Sequence, residues 1–147
     1  MARGRTTVAL AATLGAVAIA GCGGSEPTKA EFAKKADALC AQINTAHPPP
    51  ERQTAATLRE EVSIRRELDK KIRDLDVPDE LKKDFDTYNA ATQRIIAAIS
   101  RMGADLARRD TNQFREDQKQ YDAIAGERER PAVKLGFRVC GRTNPVT

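Results

Sequence analysis

Cys22, Cys40, Cys140 and His47 are the residues of this chain best suited to nucleophilic, redox or metal chemistry. Dithiol redox catalysis uses a close, activated pair such as Cys-x-x-Cys, and no such pair occurs. A metal site needs several converging ligands, and neither His-x-x-x-His nor Glu-x-x-His is present. His47 stands directly before Pro48-Pro49-Pro50. That setting reads as a loop, not as a base held beside a nucleophile by a third group. Glu60-Glu61 and Asp84-x-Asp86 bring carboxylates together in sequence, as acid/base pairs require. On a helix, however, adjacent residues and those two apart do not face each other, so these acids read as solvated surface charge. Arg65-Arg66, Lys70-Lys71 with Arg73, and Lys82-Lys83 are short basic doublets. Near an anionic surface each cation is worth about 1 kcal/mol, but Glu67, Asp69, Asp74 and Asp84 dilute that field. Gly15, Gly21, Gly23 and Gly24 follow no strand and form no phosphate-cradling loop. These residues assign no catalytic group, no metal and no cofactor, and the chain reads as a non-enzyme.

Cys22 has a different neighbourhood. Arg3 and Arg5 form a basic start, Val8 to Ala20 is uncharged and mostly apolar, and Ile19-Ala20-Gly21 places small residues before the cysteine. This is the basic, apolar, small-residue plan of a signal peptide, and its end looks like a bacterial lipobox. The apolar stretch falls well short of the about 20 residues that a spanning helix needs. Residues 1–21 are therefore expected to be a lipoprotein signal peptide, cut before Cys22, with Cys22 lipidated. Ordinary secretion is the rival, because Ala18-Ile19-Ala20 also fits the general peptidase. Cysteine parity favours the lipid: an odd thiol in an exported protein is a liability, and acylating Cys22 leaves two. An exported setting favours oxidation of Cys40 and Cys140. A bridge would tie the first helix to the tail; the alternative is two buried thiols that never meet. A single acyl chain holds a protein on a membrane only marginally, and the diacylglyceryl group that a lipobox implies supplies the second.

Residues 22–147 amount to one domain with a modest core. The formal net charge of +4 falls to about +2 once Arg3 and Arg5 are removed. Both signs are interleaved, as on solvated helix faces, and a nucleic-acid partner would need a concentrated basic stripe. Aromatics make up 4% of the chain, and Ala, Arg, Glu, Lys and Leu dominate, which is helix-forming composition.

Gly23-Gly24-Ser25-Glu26-Pro27 reads as a tether; with Cys22 it makes up residues 22–27. Thr28 and Glu31 form a capping box for helix 1, whose Phe32, Ala36, Leu39, Cys40 and Ile43 share one face. The prolines after His47 end it. Helix 2 is expected to begin between Thr54 and Thr57, with Thr57 and Glu60 as its box. Leu58, Val62, Ile64, Leu68, Ile72 and Leu75 form its apolar side. Pro78 suits the first position of helix 3, and the acids after it suit the helix dipole. Leu81, Phe85, Tyr88, Thr92, Ile95, Ile99, Met102 and Leu106 then step by four and three, a heptad seam widened by Ile96. Over Pro78 to Arg109 that helix would run about 48 Å. Asp110-Thr111-Asn112 caps a fourth helix with a weaker face of Phe114, Tyr121, Ile124 and Ala125. Pro131 is expected to kink or stop it, and Gly136 to end the last helical stretch.

Phe32-Ala33-Lys34-Lys35-Ala36-Asp37-Ala38-Leu39-Cys40, with Leu135-Gly136-Phe137-Arg138-Val139-Cys140-Gly141 at the far end, resembles a recurrent class of small, uncharacterised actinobacterial helical lipoproteins. That class carries one cysteine in the first helix and one near the C-terminus. The resemblance implies a Cys40–Cys140 disulfide and brings no catalytic or ligand-binding residue.

The sequence thus predicts an all-α domain over residues 28–147, about four helices in an antiparallel bundle. The functional expectation is a cell-envelope lipoprotein on the extracytoplasmic face of the cell membrane, acting as a non-catalytic interaction or scaffold module. Its partners would be the membrane, through Cys22, and an envelope protein. The alternative is a solute- or lipid-binding module with a pocket between helices 2 and 3.

Overall fold

The computed structural model describes residues 26–141. The expected signal peptide (1–21), Cys22 as the expected lipidation site, and most of the expected tether lie outside the described residues. Among the described residues the chain is all-α, in four helices with no strand.

Local chemistry explains each boundary. Helix α1 spans Lys29–Ala46. Thr28 accepts from the Glu31 backbone N–H at 3.3 Å, and the Glu31 carboxylate accepts from the Thr28 N–H at 2.8 Å. The Thr28 N–H, and after it the Thr28 hydroxyl, which also donates to the carboxylate at 2.8 Å, hold the Glu31 carboxyl below its ordinary pKa. Helix α2 spans Ala55–Arg73. Its box differs from the expectation: Thr54 is the cap, and Thr57, not Glu60, returns the second bond at 2.9 Å. A hydroxyl both donates and accepts, so a threonine can fill the place usually held by Glu.

The expected helix start at Pro78 is also corrected. Pro78 precedes a single 3-10 turn, Asp79–Leu81, and α3 spans Lys82–Arg108, about 40 Å at 1.5 Å per residue. Glu26, read as tether, accepts a hydrogen bond from the Asp79 backbone N–H, so the start of the described chain is fixed to this turn. Helix α4 spans Thr111–Leu135, capped by the Asp110 carboxylate at 3.0 Å from the Gln113 N–H. Pro131 lies inside α4 and does not stop it. Proline lacks one donor and leaves one carbonyl free; the neighbouring Ala132 and Leu135 are fully buried, so packing outweighs the lost bond. Gly136 ends α4 at φ 82°, the left-handed geometry that glycine enters without strain.

The buried side chains form two cores. Leu58 and Val62 of α2 pack with Ile95 to Met102 of α3 and Tyr121 to Ala125 of α4. At the other end, Ile72 of α2 meets Leu81 of the 3-10 turn, Phe85 and Tyr88 of α3, and Ala132 and Leu135 of α4. Each helix meets its neighbour end to opposite end, so α2, α3 and α4 run antiparallel. The heptad seam holds: Thr92 and Leu106 are half-buried and its other members buried. Helix α1 enters only the second core, through Phe32, Ala33, Ala36 and Cys40. The Phe32 ring meets Phe85 edge-on at 5.4 Å and Phe137 at 5.6 Å. Helix α1 thus seals one end of a three-helix body and diverges from α2 beyond Cys40.

Candidate functional site

Two features fix α1 to the tail. Cys40 and Cys140 form a disulfide across 100 residues, with Cα atoms 5.4 Å apart. One turn earlier, the Asp37 carboxylate accepts three backbone N–H bonds, from Arg138 and Val139 at 2.8 Å and Cys140 at 2.9 Å. Gly141 then passes so close that a Cβ would sit 3.1 Å from that of Ala132. The Tyr88 hydroxyl donates to the Cys140 carbonyl at 3.3 Å. Sequence reasoning identified the two cysteines and missed Asp37, which sits among Lys34, Lys35 and Ala38 and reads as surface charge.

Where α1 diverges from α2 there is a cavity of about 360 Å³. The α1 wall includes Ile43 and the disulfide, and the α2 wall Ile64, Leu68 and Ile72. His47 and the prolines of the α1–α2 connection close one side. Tyr88, Asn89 and Thr92 of α3 and Arg128 of α4 lie on the inner side. The cavity takes residues from both α2 and α3, the two helices between which a pocket was expected, and α1 with the α1–α2 connection supplies the remaining wall.

Arg128 is the unusual residue of this cavity. It is 5% exposed, and its Nε is buried without a hydrogen-bond partner among the described residues. Its guanidinium lies 5.6 Å from the Tyr88 ring centre, a cation–π distance. Burial pushes its pKa down; the Tyr88 ring opposes that shift and Arg65 adds to it. Burial also raises the Tyr88 hydroxyl. The carboxylates of the lining are engaged or outlying. Glu61 takes Arg65 at 2.7 Å; Asp69, 4% exposed, takes Arg73 Nε at 2.9 Å and Gln93 at 2.7 Å. Glu60 is exposed at the rim. The Asn89 side-chain oxygen is also buried and unpartnered.

In sequence Arg128 lies within a charged run, Glu127-Arg128-Glu129-Arg130. The signal that finds it is spacing. Tyr121, Ile124, Arg128, Pro131 and Leu135 step by three and four along the inward face of α4. The same rule finds Asp117 on that face, and Asp105 three residues after Met102 on the buried side of α3, 3% and 1% exposed. Burial and then the Asp117 carboxylate raise the pKa of Asp105; Arg108, 2.5 Å away, opposes them. Asp117 is held by Arg101 at 3.1 Å.

The acid pairs read from sequence stay on the surface: Glu60 and Asp86 are exposed, and Asp84 takes Lys134 at 3.0 Å. No cluster of three or more His, Cys, Asp or Glu side chains among the described residues could hold a metal ion. No described helix is long and apolar enough to cross a membrane. Comparisons with family models, curated proteins and solved structures found no match.

Proposed function

We propose that this protein is a lipid-anchored, non-catalytic binding module of the cell envelope, held by Cys22 to the extracytoplasmic face of the membrane, which takes a small amphipathic solute or lipid-derived molecule into the α1–α2 wedge. The observation that carries the binding role is the cavity itself. It lies at the lower end of the range for small-molecule sites, about 300–1,000 Å³, and combines apolar walls with convergent polar groups. The membrane placement rests on the lipobox-like segment and the likeness to actinobacterial lipoproteins. The scaffold reading rests on the anchor, and the described surface adds little to it: Val133, 69% exposed, is the one large apolar side chain standing out among the described residues.

The test is titration with a neutral, environment-sensitive dye. Saturable uptake by the folded protein, abolished by Ile64→Trp, supports the binding role. A folded protein that takes up no dye refutes it. Metabolic labelling with a fatty-acid analogue tests the anchor separately: labelled wild type and unlabelled Cys22→Ser are expected, and an unlabelled wild type refutes it.

A further inference from the structure

Resting on that binding role, we infer that the wedge selects an anionic head group, a carboxylate or phosphate on a single apolar tail, and that Arg128 is the residue that grips it. Arg128 is 5% exposed, lines the cavity and lacks a hydrogen-bond or ion-pair partner among the described residues. A buried charge is costly unless it is paired. Neutral isosteres were available to this position, and a packing role alone calls for none of the guanidinium's five donors. The planar fork matches carboxylate and phosphate oxygens in a bidentate manner.

The surroundings favour an incoming anion over an internal one. Asp69 is held by Arg73 and Gln93, and Glu61 by Arg65. Arg65 is itself neutralised by Glu61, which leaves Arg128 as the cation of the lining without a carboxylate partner among the described residues. The Tyr88 ring lies 5.6 Å from the guanidinium carbon, within cation–π reach. The apolar remainder of the cavity, Ile43, Ile64, Leu68 and Ile72 beside the disulfide, supplies a dry site for a tail. At about 360 Å³ the space suits one short chain.

Calorimetric titration of the oxidised, folded protein with octanoate, octyl phosphate and octanol separates the possibilities. Wild type is expected to bind at least one of the two anions about 10- to 150-fold more tightly than octanol, the range of one charge-assisted hydrogen bond. Which anion is tighter distinguishes a fatty-acid source from a phosphate one. Arg128→Met removes that preference: the tighter anion is expected to fall by about 10- to 150-fold, to the affinity the same variant shows for octanol. This variant replaces a buried cation with an apolar side chain, a change that buried charges often tolerate, and its melting curve verifies the fold. Equal binding of all three probes by wild type overturns the assignment of an anionic head while leaving the binding role intact, and it needs no variant. Binding of none of them, together with no dye uptake, removes both.

Discussion

Replacing Asp37 by alanine removes a carboxylate that accepts the N–H groups of Arg138, Val139 and Cys140 at 2.8, 2.8 and 2.9 Å. A hydrogen bond to a charged group contributes about 1.5–3 kcal/mol net. The Arg138 site is exposed, so its N–H can turn to water. The Val139 and Cys140 groups are partly buried and keep most of their desolvation cost. The expected destabilisation is therefore close to two weak charged bonds, about 3 kcal/mol. For a domain of this size that is a fall in melting temperature of roughly 10 °C. Urea unfolding with the disulfide intact measures it, provided the slope of the transition is unchanged. Asp37→Asn keeps one acceptor oxygen and should lose about half as much. Hydrogen exchange gives a local readout: the Val139 and Cys140 amides should lose protection before those of α3. An Asp37→Ala protein within about 0.5 kcal/mol of wild type, the size of an ordinary surface substitution, would refute the reasoning, because the tail would then be held by the disulfide alone.

Replacing both Cys40 and Cys140 by serine should cost about 4.7 kcal/mol, the chain-entropy value for closing a loop of this length, and weaken dye binding because the bridge lines the cavity; denaturant titration and dye uptake check both. Asp105→Asn should stabilise the protein at neutral pH. The folded-state pKa of Asp105 is raised by burial and by Asp117, so its stabilising contribution is fully present below the ordinary carboxylate pKa and is lost as pH rises through the raised one. The gain in the Asn variant should therefore shrink as pH falls, and a gain that grows in acid would contradict the assignment. Gly136→Ala should cost about 1–2 kcal/mol, the penalty for a Cβ in left-handed geometry, read from the thermal midpoint; no change would mean that the φ of 82° is not maintained. Arg128→Met should leave the thermal midpoint unchanged or raised, since it removes an unpaired buried charge; a large fall would point to an internal partner.

Much of the fold was legible because its signals are local. The Thr28–Glu31 box, the α3 seam and the Gly136 stop depend on residues within a few positions of one another, and each lies where its chemistry dictates. The two cysteines were also legible, through parity and redox compartment. Thr54 was harder: Thr57 can serve as a cap or as the residue answering one, and only the position of the first apolar contact, Leu58, decides. Pro131 misled for a similar reason. Its local penalty is real, but burial of Ala132 and Leu135 outweighs it. The candidate site was the least legible part. Asp37 and Arg128 are charged residues in charged surroundings, and their roles come from partners far away in sequence. Arg128 carried a trace in its three-and-four spacing with Tyr121 and Leu135. Asp37 carried none, because its partners are backbone groups. The wedge itself depends on α1 packing at one end only, which no pattern within α1 or α2 encodes.

The most direct test follows the Arg128 side-chain Nε–H by nuclear magnetic resonance while octanoate or octyl phosphate is added. This resonance is expected to move markedly with the bound anion, Tyr88, Asn89 and the Ile64 and Leu68 methyls to shift with it, and octanol to leave the Nε–H nearly still. An Nε–H that stays in place while shifts gather elsewhere on the surface would contradict the assignment of Arg128.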